Sequence, residues 1–177
     1  MTNGVSVVIR CLTMRIAGID ASTSCTGVAI NDNGKLIYHN KIDMKNNKDA
    51  ENRMLNMMYE IGKFIKEYSP DVVYVEDSWN KQNIETTKML SNIIGAIMYV
   101  CRENNIKFIK ILPSSWRKTI GITLAEGKVK VKRYKLKDEA VNKVFETHGI
   151  KCGDDEAEGI CIADAGYLLQ QGVDLFD

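Results

Sequence analysis

Acidic side chains follow apolar stretches at three separate places in the chain. Asp20 ends one short apolar run and Glu76 ends another, while Asp155 and Glu158 stand three residues apart near the start of the last predicted helix. Residues three apart share a helix face, and oxygen ligands without nitrogen or sulfur partners suit Mg²⁺ or Mn²⁺. The pattern predicts a site at which two ions about 4 Å apart hold a phosphodiester for hydrolysis.

The acids at two of these three places also have a purely structural explanation. Asp20 precedes a Ser- and Thr-rich turn, where an Asx turn would use its carboxylate. Carboxylates in the first turn of a helix are stabilised by the macrodipole, and Asp154 fits an N-cap. That turn has four acids although a cap needs only one. Asp155 keeps the three-residue spacing to Glu158 on one helix face, and Asp154, which lies on this face less exactly, is the alternative. Asp164, further along the helix, is predicted to be solvated.

The apolar periodicity predicts an α/β domain in which three antiparallel strands precede helix-linked, parallel strands. Small residues between the first two strands allow another backbone to approach closely, and Asp32-Asn33-Gly34 predicts a hairpin turn. Two predicted strands lie within 15–30, the first ending at Asp20, and three more span 35–42, 71–77 and 106–112, the last closed by Pro113. The predicted helices are 54–68, 83–103, 131–148 and one opening at 153. The inner side of helix 131–148 is predicted to carry Tyr134, Leu136, Ala140, Val141, Val144 and Phe145.

Positive charge is concentrated in the segment from Lys107 to Lys137, although the chain has a net charge of only +1. Glu126 is the single acid of this segment. Such clustering is typical of surfaces that bind polyanions, and a solvated helix face is the alternative explanation.

The composition is that of one compact domain, with 177 residues, 45% hydrophobic and 27% charged side chains and 2 Pro. Residues 14–177 are predicted to form that domain, and residues 1–13 an extension that is disordered or an added strand. No apolar run approaches a membrane span, and the N-terminal residues do not resemble a secretion signal. The 5 Cys form no CxxC pair, which favours a reducing compartment and argues against structural zinc.

Four motifs in order resemble the RuvC family of Holliday-junction resolvases, within the RNase H-like superfamily. They are the Gly18-Ile19-Asp20 turn, the acid that closes the fourth strand, the phrase Leu112-Pro113-Ser114-Ser115-Trp116-Arg117-Lys118, and the acid-x-x-acid start of the last helix. The similarity runs from about Met14 to about Leu169 and is greatest to phage-type members.

The resemblance implies an RNase H-like fold and a metal-dependent, structure-selective endodeoxyribonuclease that resolves four-way or related branched DNA. It implies two Mg²⁺ ions with Mn²⁺ as a substitute, no organic cofactor, and products with 5′-phosphates. The two symmetric cuts favour a homodimer, with the helix around Leu90 to Cys101 as the partner surface. The expected location is the cytoplasm of a bacterium or of a phage-infected host, without a membrane partner.

The family's four metal-site and catalytic acids fall on Asp20, Glu76, Asp155 and Glu158. By resemblance Asp20 bridges both ions, Glu76 and Asp155 complete their shells, and Glu158 holds the ion that activates water. Glu158 departs from the family, which more often has Asp there, and the third position is either Asp or His. The DNA-binding residues implied by resemblance and by the basic segment are Trp79, Lys81, Arg117, Lys118, Lys128, Lys130, Lys132 and Arg133. Trp79 would stack on a base at the junction centre, with burial in the core as the alternative.

Three other functions remain open at this stage. The Gly18-Ile19-Asp20 turn also resembles the first phosphate motif of actin-like ATPases, which need a second copy of the fold. A non-catalytic module that binds branched DNA would share the scaffold but would not need acids at three corners. An RNase H-like nuclease for RNA–DNA hybrids, or a transposase-like nuclease, would use the same metal chemistry.

Overall fold

The computed structural model describes residues 13–77, 83–122 and 129–172, and for 129–132 the backbone alone. Its strands are β1 (Arg15–Asp20), β2 (Cys25–Asp32), β3 (Lys35–Asp43), β4 (Val72–Glu76) and β5 (Lys107–Ile111). Its helices are α1 (Ala50–Tyr68), α2 (Ile84–Glu103), α3 (Pro113–Thr119), α4 (Val129–His148) and α5 (Asp154–Gln170). The strands form one sheet in the order β3-β2-β1-β4-β5, which confirms the predicted mixed sheet. None of the helices in these ranges combines the length and the apolar content that a bilayer span needs.

The first three strands form an antiparallel meander. A turn at Asn33 and Gly34 joins β2 to β3, and both residues have positive φ angles, of 54° and 83°. This is the backbone that the Asn-Gly pair favours in two-residue hairpins, because its twist matches that of the strands. The predicted hairpin is confirmed.

The parallel pairing of β1 with β4 determines which acids become neighbours. Ile19 pairs with Val75, so that Asp20 and Glu76 follow side by side at the carboxyl ends of the two strands. The helix α1 makes the crossover between the meander and β4. Its N-cap is Asp49, whose side chain accepts a hydrogen bond from the Asn52 N–H, and its C-cap is Ser69, with a φ of 44°. Two acids far apart in sequence therefore meet at one sheet edge.

Two hydrophobic clusters cover the two faces of the sheet. On one face α1 and α2 pack through residues such as Met57, Ile61 and Ile93, all fully buried. On the other face α3, α4 and α5 pack through Trp116, Ala140 and Ile160, which are also fully buried. The site acids lie where α5 crosses β1 and β2.

Glycines at the contact of α5 with β2 bring helix and sheet backbones together. A Cβ atom on Gly27 would lie 1.8 Å from the carbonyl oxygen of Asp155, and one on Gly159 would lie 2.7 Å from the carbonyl carbon of Gly27. Real Cβ atoms do not approach other atoms this closely, so only glycine fits at either position without a shift of the backbone. The predicted close backbone approach is confirmed, and its partner is the first turn of α5.

The structure corrects three local expectations. Pro113 was predicted only to close the strand, but it is also the first residue of α3, a seven-residue helix without a side-chain cap. The sequence analysis did not predict this short helix. The N-cap of α5 is Gly153 and not Asp154, whose side chain pairs with Lys137 instead. On α4, Ala140 and Val144 are buried as predicted, but Tyr134 and Phe145 are 63% and 51% exposed, because α5 covers a narrower stripe of the helix.

Candidate active site

Four acids from three elements meet where β1, β4 and α5 come together. Asp20 and Glu76 end their strands, and Asp155 and Glu158 belong to the first turns of α5. Glu76 and Glu158 are buried, with 9% and 6% of their surface exposed. The predicted convergence of these acids in space is what the structure displays.

The electrostatics of Asp20 show that these acids act on one another. Burial raises the pKa of the Asp20 carboxyl well above its usual range, and Glu158, Glu76 and Asp155 raise it further in that order. Burial also raises the pKa of Glu76, and Glu158 adds to this, while the Trp116 indole N–H and the Arg117 guanidinium act in the opposite direction. Burial and the repulsion between these acids both disfavour their ionised forms, and a bound cation would offset both effects.

Three basic side chains contact the acids of the cluster, of which the most exposed, Lys45, lies with its Nζ 3.7 Å from Asp155 Oδ2. Arg117 places Nη2 2.7 Å from Glu158 Oε1 and 4.0 Å from Glu76 Oε2. Lys137 places Nζ 3.2 Å from Asp155 Oδ1 and 3.8 Å from Glu158 Oε2. Burial acts to lower the pKa of Lys137, but the surrounding acids, Asp154 first, raise it well above its usual value. Lys137 is therefore charged at neutral pH, and together with Arg117 it partly neutralises the acids.

The other acids of the same helix turn are paired away from Asp20. Asp154 is half exposed and lies 2.6 Å from Lys137 Nζ, which lowers the pKa of this carboxyl. Glu156 forms a hydrogen bond with His39 of β3. Asp155, in contrast, is one of the groups that raise the pKa of the Asp20 carboxyl. This arrangement favours Asp155 over Asp154 as the third ligand.

Trp116 belongs to one of the motifs that carry the family resemblance, but its place among the site acids was not predicted. Its side chain is completely buried, and its indole Nε1–H donates a hydrogen bond of 2.7 Å to Glu76 Oε2. The guanidinium of Arg117 lies over the same ring, 4.3 Å from its centroid. The available signal was the position of Trp116 just after β5, whose carboxyl end adjoins that of β4 in the parallel sheet.

The donor set suits a hard divalent cation, although the acids are not closed around one. Among the residues that the structure describes, no three acid, histidine or cysteine side chains are grouped tightly enough to hold a metal ion as they stand. The Arg117 and Lys137 contacts occupy oxygens of Glu158 and Asp155, so cation binding requires these contacts to loosen. The buried Nε of Arg117 has no hydrogen-bond partner in the described ranges, so this guanidinium is not fully satisfied where it lies. Oxygen donors with excess negative charge nevertheless fit Mg²⁺ or Mn²⁺ in type.

The predicted DNA-binding residues fall into three groups. Lys118 and Arg133 are exposed, whereas Arg117 is half-buried and contacts the acids. Lys130 and Lys132 belong to α4, but their side chains are not described. Trp79, Lys81 and Lys128 lie outside the described residues, as does the predicted extension except for Thr13.

One acid outside the cluster differs from its prediction. Asp164 is not solvated: its carboxylate accepts hydrogen bonds of 2.7 Å from Asn31 Nδ2 and pairs with His148 Nε2 at 2.7 Å. This network joins β2, α4 and α5, and it holds the C-terminal end of α4 against the sheet. The expectation failed because both partners are distant in sequence.

A mixed sheet of this order, with acids at the adjoining ends of β1 and β4 and on the helix that crosses them, defines an RNase H-like nuclease fold. The chain matches the family model of the crossover junction endodeoxyribonuclease RuvC over residues 16–138. It therefore belongs to the RuvC family. This match includes Asp20 and Glu76 and ends before Asp155 and Glu158.

Individual relatives cover most of the chain. RuvC of Caldicellulosiruptor saccharolyticus is 25% identical over 165 residues, which are 90% of this chain and 96% of the relative. RuvC of Fusobacterium nucleatum is 28% identical over 153 residues, covering 84% and 77% of the two chains.

Solved structures agree on the fold. RuvC of Thermus thermophilus in complex with a Holliday junction substrate superimposes with a TM-score of 0.69 at 15% identity, covering 90% of this chain and 97% of that one. The fowlpox virus resolvase, solved with substrate Holliday junction DNA, gives a TM-score of 0.59 at 20% identity, with 89% and 99% covered.

Proposed function

We propose that this chain resolves four-way DNA junctions by metal-dependent hydrolysis of phosphodiester bonds, with Asp20, Glu76, Asp155 and Glu158 as its metal-site acids. Membership of the RuvC family supports the reaction. The observation that carries the assignment of residues is that Glu158, Glu76 and Asp155 all raise the pKa of the buried Asp20 carboxyl. Arg117 contacts both Glu76 and Glu158, and Lys137 contacts both Asp155 and Glu158. A divalent cation bound among these acids would relieve their repulsion.

In this proposal the four acids share the binding of the metal ions. By resemblance Asp20, Glu76 and Asp155 would hold the metal ions, and Glu158 would hold the ion that supplies the activated water. Bound Mg²⁺ would activate that water and stabilise the charge on the scissile phosphate and the leaving oxygen. The protein supplies a rigid support, because β1 and β4 are paired and α5 rests directly on β2.

The basic residues would hold the DNA backbone next to these acids. Arg117 and Lys137 contact the acids themselves, while Lys118 and Arg133 are exposed and can reach phosphates outside the cluster. Side chains that neutralise phosphates make binding strongly dependent on salt. By resemblance Trp79 would stack on a base at the junction centre, which is worth roughly 1 to 3 kcal/mol.

A homodimer would place one such site on each of the two equivalent strands. Apolar side chains remain exposed on α2, namely Ile84, Met98 and Tyr99, at 69%, 47% and 64%. A shallow groove on the same helix is lined by Leu90, Ile94, Gly95 and Met98, with Lys110 and Asp77 at its rim. These features support α2 as the partner surface.

The test compares the purified protein on a synthetic four-way junction and on a linear duplex of the same sequence. With Mg²⁺ or Mn²⁺ we expect symmetric cuts that a ligase can seal, in the junction alone. Asp20→Asn should bind the junction without cutting it, because it keeps the shape of the side chain and removes a charge. A cruciform plasmid should become linear if two subunits cut together and become a nicked circle if one subunit cuts alone.

The ion pairs within the cluster favour one alternative. Arg117 and Lys137 neutralise part of the acidic charge, as they would in a module that binds junctions and uses the acids only for structure. That alternative predicts junction binding without cleavage in either metal, and an Asp20→Asn variant that binds like the wild type. Cleavage that is lost in Asp20→Asn excludes it.

A further inference from the structure

The buried carboxylate of Glu76 accepts a hydrogen bond from an uncharged donor, the indole N–H of Trp116. Trp116 is fully buried on α3, 40 residues after Glu76, and its Nε1–H lies 2.7 Å from Glu76 Oε2. A buried indole N–H needs an acceptor, and a buried carboxylate needs donors, so each group satisfies the other. The contact therefore determines the position of both side chains.

A single donor on one oxygen has a particular effect on a metal-binding carboxylate. It holds Oε2 in place and leaves Oε1 as the oxygen for a cation. Because the indole is neutral, it orients Glu76 without competing with a cation for the site, as a lysine or arginine would. Outer donors of this kind commonly set the orientation of metal ligands.

The face of the same ring acts on a second acid. The Arg117 guanidinium lies 4.3 Å from the Trp116 ring centroid, and its Nη2 lies 2.7 Å from Glu158 Oε1. Stacking on a buried ring restricts where the guanidinium can lie. One side chain thus orients Glu76 through its edge and, through its face, restricts the arginine that a cation at Glu158 must displace.

We propose that Trp116 is a positioning residue of the metal site, which orients Glu76 through its indole N–H and restricts, through stacking, the Arg117 guanidinium that pairs with Glu158. Trp116 touches neither the metal nor the DNA in this role, and it acts through Glu76 and Arg117. The inference rests on the proposed function, because it assumes that Glu76 and Glu158 bind the metal.

The test replaces the donor and keeps the ring, with Trp116→Phe. Mn²⁺ binding to the purified protein is measured from the electron paramagnetic resonance of the free ion, without DNA and without turnover. We expect Trp116→Phe to bind Mn²⁺ roughly 10- to 100-fold more weakly than the wild type, the usual effect of losing an outer partner. Junction binding in the absence of divalent ions should stay unchanged.

Ile120→Val is the matched control. Ile120 is buried in the same hydrophobic cluster as Trp116, and the change removes one methyl group without touching a polar contact. It should lower thermal stability and leave Mn²⁺ affinity unchanged. If Trp116→Phe binds Mn²⁺ like the wild type while Asp20→Asn does not, the positioning role is overturned and the proposed function stands. If the wild type binds no Mn²⁺, both are overturned.

A second measurement does not depend on the folding of Trp116→Phe. The chain has two tryptophans, so Trp79→Phe leaves the Trp116 indole as the single indole N–H signal in an NMR spectrum. Adding Mg²⁺ should shift this signal, and the shift should saturate over the same range of Mg²⁺ concentration as the shifts of the Asp20 and Glu76 backbone signals. An indole signal that stays fixed while those backbone signals move would contradict the coupling of Trp116 to the site.

Discussion

The contact between Gly27 and the first turn of α5 offers a direct test of how the site is assembled. A Cβ atom at this position would lie 1.8 Å from the Asp155 carbonyl oxygen, and 2.7 Å from the Asp155 carbonyl carbon. Both atoms belong to backbone, which cannot rotate away as a flexible side chain can. Gly27→Ala therefore forces the start of α5 to move away from β2.

The size of the movement follows from ordinary contact distances. Carbon and oxygen atoms approach to about 3.3 Å, so the helix start must retreat by roughly 1.5 Å. Crowding of this kind costs about 1–3 kcal/mol in the free energy of unfolding. Because α5 carries Asp155 and Glu158, the same movement separates them from Asp20, and a displacement of about 1 Å can reduce a catalysed rate by around 100-fold.

The assay measures both consequences in one preparation. Urea denaturation gives the free energy of unfolding, and single-turnover cleavage of a four-way junction gives the rate at a temperature where the variant is folded. Gly62→Ala is the control: its Cβ would lie 3.5 Å from the Val100 side chain, an ordinary contact, and it lies on α1 outside the site. A folded Gly27→Ala variant that cleaves at the wild-type rate would refute the account of how α5 positions the acids.

Three further outcomes follow from individual contacts. Asp164 raises the pKa of His148 above the value of about 6.5 that the imidazole has in the unfolded chain. The pair therefore stabilises the fold fully below that pH and loses its contribution as the pH rises through the pKa of the folded state. In urea denaturation, the wild type and His148→Asn should differ in stability more at low pH than at high pH. Arg117→Met leaves the buried Glu158 carboxylate without its 2.7 Å partner, and we expect a loss of about 3 kcal/mol in the free energy of unfolding that Mg²⁺ partly restores. Lys118→Ala removes an exposed charge, and fluorescence anisotropy should show weaker junction binding with a salt slope smaller by about 1.

Each of these outcomes has a result that would count against it. A stability difference for His148→Asn that is constant with pH would mean that the contact acts through packing and not through charge. An Arg117→Met variant that Mg²⁺ does not stabilise more than it stabilises the wild type would argue against a cation next to Glu158. A salt slope that Lys118→Ala leaves unchanged would remove Lys118 from the set of phosphate contacts.

Local sequence patterns were enough to predict the scaffold of the site. Asp20 and Glu76 each end an apolar run, and the alternation of three antiparallel strands with helix-linked strands predicted the mixed sheet. The pairing of β1 with β4, which makes the two acids neighbours, was seen only in the structure. The three-residue spacing of Asp155 and Glu158 was visible because both lie in one helix. Patterns of this kind depend on neighbours within a few residues, so the sequence carries them directly.

The balance of charge at the site was decided by tertiary structure. Trp116 contacts Glu76, which is 40 residues away in the sequence, and Arg117 contacts Glu158, which is 41 residues away. Both residues lie on α3, a helix that begins at Pro113 just after β5. Tyr134 and Phe145 have helical spacing with the buried face of α4 yet lie at its exposed margin.

What the sequence by itself determined is the kind of chemistry, because residue types and short spacings specify oxygen ligands at element ends. Which donors orient those ligands, which cations neutralise them and how closely α5 approaches β2 were decided only in the folded molecule. Those contacts join residues from different elements, and they depend on helix directions and interatomic distances that packing sets and short-range patterns do not encode.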